Sequence, residues 1–333
     1  MSDAGQGRSD AGRGGGAPGR GAAGQDGSAA RGCPEHQTAV ASEEERMKQR
    51  LACIHHKIVV LSGKGGVGKS TVAVNLAVAL ADKGMQVGLL DIDLHGPSVP
   101  KMLHLEGWRP QGGDGGLLPV DFTANLKVMS IGFLLPSDDQ AVIWRGPRKY
   151  SMIRQFLADV EWGELDYLIV DAPPGTGDEP LAILELLGDI DGAVVVTTPQ
   201  QLAITDVRKS IAFCRELGCR VLGIVENMGA FVCPHCGGTV EVFGGRGGEA
   251  LAREADVPFL GTIPVDPAVS IAGDSGRPYL LAKTSLASAE AFRAAIAPLL
   301  ALDDRTAASE AGAQAAAAAS QEGSTATASQ EGS

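Results

Sequence analysis

Apolar residues follow two patterns along this chain: short continuous runs, and longer stretches with an apolar residue every three or four positions. The continuous runs are typical of parallel strands covered on both faces, and they lie at 59–61, 86–90, 126–131, 166–170, 192–197, 220–225 and 259–263. The helical spacing lies between them, after Lys69 and at 147–160, 178–188, 200–217, 247–256 and 286–301. This alternation predicts an α/β fold, a doubly wound, mostly parallel sheet with helices on both faces.

The predicted domain spans residues 56–302, and a lead-in helix is expected before it over 42–55. Ser42 and Glu45 have the spacing of a capping box, in which each side chain satisfies a free backbone N–H group at the start of a helix. Apolar residues follow them at helical spacing. The sequence therefore predicts that this helix begins at Ser42.

Composition narrows the class of protein. Hydrophobic residues make up 44% of the 333 residues and aromatic residues only 4%, so the core must be mainly aliphatic. Residues 1–41 and 303–333 are mostly small or polar and are predicted to be disordered tails. The net charge of −12 argues against nucleic-acid binding, and the basic cluster Arg145, Arg148 and Lys149 is interpreted as a solvated face.

The sequence contains no apolar run near 18 residues and no apolar leader at its N-terminus. We therefore expect no membrane partner and a cytoplasmic location. In that reducing compartment, six cysteines favour metal or redox chemistry, or simple burial, over disulfides.

A glycine-rich loop follows the strand at 59–61. It fits G-x-x-x-x-G-K-[ST], in which glycines let backbone N–H groups surround an anion at the start of a helix. The loop predicts binding of a nucleoside triphosphate, with a lysine on the phosphates and a serine hydroxyl on Mg²⁺. Its predicted binding residues are Gly63, Lys64, Gly65, Gly66, Val67, Gly68, Lys69, Ser70 and Thr71.

Carboxylates end two further predicted strands. Asp91 and Asp93 follow the strand at 86–90, and Asp171 closes the strand at 166–170. Asp171 has the Walker B arrangement, which holds Mg²⁺ directly or through water. Asp91 and Asp93 could hold a metal-bound water, orient the attacking water, or only cap a turn.

Two cysteines form a Cys-x-x-Cys knuckle at Cys233 and Cys236. The pair supplies two sulfur ligands, whereas zinc or a [4Fe–4S] cluster takes four. Cys214 and Cys219 are expected in the core, and His235 is expected to face water. Two copies of the knuckle on a two-fold axis would supply four ligands, so the sequence favours a homodimer. Zinc and an iron–sulfur cluster both remain compatible with this spacing.

Several of these motifs together resemble a known family. The segments SGKGGVGKS (62–70), DIDLHGPS (91–98), WRGP (144–147), DAPPGTGDEP (171–180) and NMGAFVCPHCGG (227–238) are similar to the Mrp/ApbC iron–sulfur carriers, which belong to the deviant Walker A ATPases. The resemblance covers about 55–280.

The resemblance assigns roles to single residues. It implies that Lys64 reaches across a dimer to the partner's nucleotide, that Lys69 binds phosphate, and that Asp93 positions the hydrolytic water. It further implies that Asp171 acts with them in hydrolysis through Mg²⁺, and that Asn227 contacts the adenine.

As a whole, the resemblance implies an ATP-hydrolysing homodimer that holds a [4Fe–4S] cluster at its cysteine knuckle and transfers it to apo iron–sulfur proteins. ATP and Mg²⁺ would be its cofactors. Two alternatives stay open. One is a partition or septum-type ATPase, which would need a basic surface or a basic amphipathic C-terminal helix. The other is a zinc-bridged, nucleotide-dependent regulator.

Overall fold

The computed structural model describes residues 34–113, 116–135, 146–233, 235–236, 238–282, 287–300 and 302. The chain divides into two units, Met1–Val40 and Ala41–Ser333. Only the start of one helix is described in the first unit. The predictions for residues 1–33 and 303–333, and for Trp144 and Arg145 of the WRGP segment, lie outside the described residues.

The described helices are α1 (Pro34–Ala52), α2 (Lys69–Asp82), α3 (Val99–Met102), α4 (Gly146–Asp159), α5 (Asp178–Leu187), α6 (Gln201–Glu216), α7 (Gly247–Glu254), α8 (Pro267–Asp274) and α9 (Ala287–Leu300). The described strands are β1 (Ile54–Ser62), β2 (Val87–Asp91), β3 (Gln111–Gly112), β4 (Leu117–Leu118), β5 (Val120–Thr123), β6 (Leu126–Ser130), β7 (Leu165–Asp171), β8 (Gly192–Thr197), β9 (Val221–Glu226), β10 (Phe231–Val232), β11 (Thr239–Val240) and β12 (Phe259–Thr262).

Eight strands form one sheet in the order β12-β9-β8-β1-β7-β2-β6-β5. All neighbours are parallel except the antiparallel pair of β5 and β6. Every residue of β2, β8 and β9 is buried, because helices and loops cover both faces of the sheet. The predicted doubly wound α/β fold is confirmed.

The strand order reverses beside β1, which pairs with β7 on one side and β8 on the other. Such a reversal opens a crevice at the carboxyl ends of the strands, where doubly wound proteins bind their ligands. The loop that follows β1 therefore lies at the position that this architecture favours for a binding site.

The predicted start of the lead-in helix was wrong. Helix α1 begins at Pro34 rather than at Ser42, so residues 34–41 belong to a helix and not to a tail. Proline fits the first turn of a helix, where its missing N–H group costs nothing, and the Ser42–Glu45 pair lies inside α1. Strand β1 also begins at Ile54, before the predicted domain start at 56.

The two-residue strands were not predicted. Strands β10 and β11 pair as an antiparallel ribbon, and β3 and β4 form another. Elements of this length are too short for a hydrophobic period to reveal. The part of the chain that the structure describes contains no helix long and apolar enough to cross a membrane.

Candidate functional site

The glycine-rich loop joins β1 to α2, and its backbone geometry accounts for its glycines. Gly66 and Gly68 have φ of +79° and +86°, in the left-handed region that favours glycine. A Cβ at Gly68 would lie 2.0 Å from Asn227 Nδ2, and a Cβ at Gly63 would lie 2.6 Å from the carbonyl carbon of Asp206. The loop is therefore held tightly by β9 and α6.

Lys69, the first residue of α2, lies among the predicted carboxylates. Its Nζ donates to Asp171 Oδ1 at 2.5 Å and lies 3.5 Å from Asp93 Oδ2 and 3.4 Å from Ser70 Oγ. Burial alone would lower the pKa of Lys69, but the nearby carboxylates raise it. The structure thus brings together four of the predicted site residues.

Asp91 and Asp171 are directly opposite each other on the paired strands β2 and β7. Burial raises the pKa of Asp91 to about 8 and also raises that of Asp171. Asp91 accepts hydrogen bonds from the Asp93 and Val99 N–H groups and from Ser130 Oγ, at 3.1, 3.3 and 2.9 Å. It thereby fixes the segment that carries Asp93.

Asp171 has one oxygen that remains available. Its Oδ2 is buried and accepts no hydrogen bond from the described residues, whereas Oδ1 is bound to Lys69. A buried carboxylate oxygen without a donor is costly unless it meets a cation. With the Ser70 hydroxyl close by, the donor set consists of oxygen atoms and fits Mg²⁺.

Lys64 is held within its own chain. Its half-buried side chain donates from Nζ to Gln200 Oε1 at 3.3 Å, next to the start of α6. Its carbonyl oxygen accepts a hydrogen bond from Ser62 Oγ at 3.0 Å. The contacts described for Lys64 are thus with Ser62 and Gln200, and its predicted contact with a partner's nucleotide remains a prediction.

Asn227, at the carboxyl end of β9, contacts the loop. Its Nδ2 donates to Val67 O at 2.9 Å, so the side chain fastens the loop to the neighbouring strand. Asn227 also lines a cavity of about 560 Å³ beside the loop. Other residues lining this cavity are Gly68, Thr71, Met102, Phe243, Pro264 and Val265.

The cysteine knuckle lies on the ribbon of β10 and β11. Cys233 is half-buried, Cys236 is exposed, and the Cys233 N–H donates to Gly238 O at 2.9 Å. Hydrogen bonds from the His235 and Cys236 N–H groups lower the pKa of the Cys233 thiol. A thiol that ionises easily is a good metal ligand.

The knuckle alone does not complete a metal site. No cluster of three or more His, Cys, Asp or Glu side chains suited to a metal occurs among the described residues. The knuckle therefore offers a metal two thiolates, and His235, which is exposed as expected, adds no third ligand there.

One group of charged residues was missed by the sequence reasoning. Lys149 of α4 forms an ion pair with Glu179 of α5, and His95 Nε2 lies 3.1 Å from the same Glu179 oxygen. The Lys149 side chain is 18% exposed, so its interpretation as a solvated residue was wrong. Through Glu179, the segment after β7 is linked to His95, in the segment after β2, and to helix α4. The spacing of charges in the sequence carries no signal for this contact.

Comparison with known proteins decides the family. The family model described as the NUBPL iron-transfer P-loop NTPase, of the ParA group, matches residues 53–300. This chain belongs to the family of NUBPL iron-transfer P-loop NTPases. The resemblance drawn from the sequence motifs is thereby confirmed.

Two relatives of this iron-transfer NTPase have named functions. The iron–sulfur cluster carrier protein of Methanocaldococcus jannaschii is 51% identical over 249 residues, which cover 75% of this chain and 86% of the relative. The cytosolic Fe-S cluster assembly factor NUBP2 of Bos taurus is 52% identical over 234 residues, which cover 69% of this chain and 86% of the relative.

Two solved structures show the same fold. A nucleotide-binding protein from Archaeoglobus fulgidus in complex with ADP aligns with a TM-score of 0.63 and 44% identity, over 71% of this chain and 92% of its own. The cell division ATPase MinD of Pyrococcus furiosus aligns with a TM-score of 0.53 and 26% identity, over 73% and 98%. The fold is thus shared with a nucleotide-binding protein and with a cell division ATPase.

Proposed function

We propose that this chain binds and hydrolyses ATP, carries a [4Fe–4S] cluster at a homodimer interface, and transfers the cluster to apo iron–sulfur proteins. The observation that carries the proposal is the knuckle: two accessible thiols, one with a lowered pKa, in a chain about half identical to a named cluster carrier. The cluster is the cargo, and other proteins would supply its iron and sulfide.

Nucleotide binding falls to the loop after β1. Lys69 and the loop N–H groups would bind the phosphates, Ser70 and Asp171 would provide oxygen ligands to Mg²⁺, and Asp93 would orient the attacking water. Mg²⁺ would neutralise charge on the transferred phosphoryl group. The cavity beside Asn227 has the size of a small-molecule site and would receive the adenosine.

Two chains are needed for the cluster. A [4Fe–4S] cluster takes four thiolates, and Cys233 with Cys236 supplies half of them. A two-fold axis through the knuckle would bring the same pair from a second chain. In this dimer Lys64 would leave Gln200 and reach the partner's nucleotide.

The knuckle and the nucleotide cavity share one segment of chain. Val242 and Phe243, which follow β11 by two and three residues, line the cavity beside the loop. A nucleotide in this cavity would press against the same segment that carries the thiols. This proximity gives ATP turnover a short physical route to the cluster site.

A zinc-bridged regulator is the second candidate, because two thiolates per chain also suit tetrahedral Zn²⁺ between two copies. The partition or septum-type ATPase is less favoured. The MinD likeness at 26% identity supports it, but the net charge of −12 opposes binding to DNA or to an anionic membrane.

Anaerobic reconstitution with iron and sulfide tests the proposal. Wild type should develop a brown chromophore with about four irons per dimer, and Cys233→Ala/Cys236→Ala should bind none. The matched control is Cys53→Ala, which removes an exposed thiol outside the knuckle and should load fully. Colourless, zinc-loaded dimers would favour the regulator, and fully loaded monomers would exclude the shared cluster.

A further inference from the structure

Helix α6 ends in a hydrogen-bonded cap that places two cysteines together. Gly218 has φ of +67°, its N–H donates to Arg215 O at 3.1 Å, and the Cys219 N–H donates to Cys214 O at 2.8 Å. These are the two bonds of a Schellman motif, in which the side chains at the first and last positions come into contact. In this chain both positions are cysteine.

The two thiols differ in access to solvent. Cys214 is fully buried in the core, whereas Cys219 is 8% exposed and lines a surface cavity of about 190 Å³ with Gly188, Ile190 and Leu217. The Cys219 thiol donates to Arg220 O at 3.6 Å, and the interaction of the two thiols raises the pKa of Cys214 and lowers the pKa of Cys219. The thiol that a small solute can reach is thus also the one that ionises more easily.

We propose that Cys214 and Cys219 form a redox site, in which a small hydroperoxide oxidises the pair to a disulfide and a small thiol reduces it again. Cys219 is the residue that reacts first, and Cys214 resolves the product from the core side. The site lies at the C-terminal end of α6 and is separated along the chain from the knuckle by strand β9. It stands independently of the proposed function.

The chemistry balances with peroxide as the named oxidant. The Cys219 thiolate attacks one peroxide oxygen, an S–O bond forms, the O–O bond breaks, and the leaving oxygen is protonated to an alcohol or water. The Cys214 sulfur then attacks the Cys219 sulfur, an S–S bond forms, and the hydroxyl leaves as water with the Cys214 proton. Two thiols lose two electrons and one peroxide gains them.

Peptide mapping of the full chain tests this directly. Trypsin cleaves after Lys209, Arg215 and Arg220, so the two cysteines fall in separate peptides, 210–215 and 216–220. After hydrogen peroxide and alkylation, the two peptides should appear as one cross-linked species that dithiothreitol separates. If both are recovered singly alkylated under conditions that oxidise the exposed Cys53, the proposal is overturned.

Two variants test the order of reaction. In Cys214→Ser, dimedone should trap a sulfenic acid at Cys219, since no neighbouring thiol remains to resolve it. In Cys219→Ser, Cys214 should remain unlabelled because it is buried. Equal labelling of both variants would overturn the assignment of Cys219 as the reacting thiol. The wild-type cross-link is measured without either variant, so the test holds even if one of them folds poorly.

Discussion

The phosphate loop and the cysteine knuckle differ in how much of each site one chain provides. At the loop, Lys69, Asp93 and Asp171 are buried, and Lys69 lies close to both carboxylates. At the knuckle, two thiols lie half-buried or exposed on a ribbon with strands of two residues. The comparison shows that a single chain assembles the side chains of its phosphate loop, whereas its knuckle holds only half of the ligands that the proposed cluster takes.

Burial of the Asp91 carboxyl group beside the loop should make the free energy of unfolding depend on pH. In the folded protein the pKa of Asp91 is about 8, well above the ordinary value near 4. Between about pH 4 and 8 the folded state therefore keeps the Asp91 carboxyl protonated, whereas the unfolded chain loses that proton. The stability that protonated Asp91 contributes is fully present below about pH 4. It is lost as pH rises towards about 8, at up to about 1.4 kcal/mol per pH unit.

Urea unfolding of the metal-free protein between these pH values measures the effect. The free energy of unfolding of wild type minus that of Asp91→Asn should fall as pH rises. Wild type loses the stability linked to protonated Asp91, whereas the variant lacks the titrating group. A difference that stays constant across the window would show that Asp91 ionises in the folded state as it does in water.

Replacing Lys69 by alanine should weaken the phosphate loop and leave the cysteine knuckle unchanged. The Kd for Mg·ADP should rise about 10- to 100-fold, because charge-assisted hydrogen bonds contribute about 1.5–3 kcal/mol. Titration calorimetry measures this, and thiol alkylation at the knuckle should proceed as in wild type. Lys83→Ala is the control, since this exposed lysine lies just past the opposite end of α2. Equal losses in both variants would contradict the arrangement.

A methyl group at Gly63 should show how firmly the loop is held. Its Cβ would lie 2.6 Å from the backbone of Asp206, so Gly63→Ala should lower the free energy of unfolding by about 1–3 kcal/mol. At Gly65 the nearest atom to a Cβ would be 4.0 Å away, in Pro174, so Gly65→Ala should have little effect. Thermal melting of both variants compares them, and equal melting temperatures would refute tight packing of α6 on the loop.

The smallest effect is expected at the connection between the regions. Phe243→Ala should weaken nucleotide binding about fivefold, about 1 kcal/mol, because the ring lines the cavity and is only 36% exposed. Val240→Ala removes an exposed side chain three residues earlier, in β11, that does not line the cavity, and this variant should bind nucleotide as wild type does. Titrations with fluorescent ADP would measure the difference between the two variants. Identical affinities would contradict the proposed connection between the nucleotide and the knuckle through Phe243.

Much of the fold could be predicted because the central strands are continuous apolar runs, a pattern that burial on both faces requires. The start of α1 could not, since Ser42 and Glu45 cap a helix only if the residues before them are not helical themselves. The ribbon of β10 and β11 was not predicted, because a strand of two residues is too short to show an alternation of apolar and polar side chains.

The site shows the same division. Motif spacing identified the loop and the strand-end carboxylates, because local chain geometry fixes them. Contacts between distant segments were not predicted. The hydrogen bond from Asn227 to Val67, and the cluster of Lys149, Glu179 and His95, depend on how separate elements pack. Sequence alone contains no local pattern for such contacts.

The pairing of Asp91 opposite Asp171 has a consequence for protein engineering. Side chains alternate between the two faces of a strand, so adding one residue within β7 would turn Asp171 to the other face while the hydrophobic ladder could still form. Such a protein would keep its architecture and lose its chemistry. The register between β2 and β7 therefore decides whether Asp91 and Asp171 face each other at the end of the sheet.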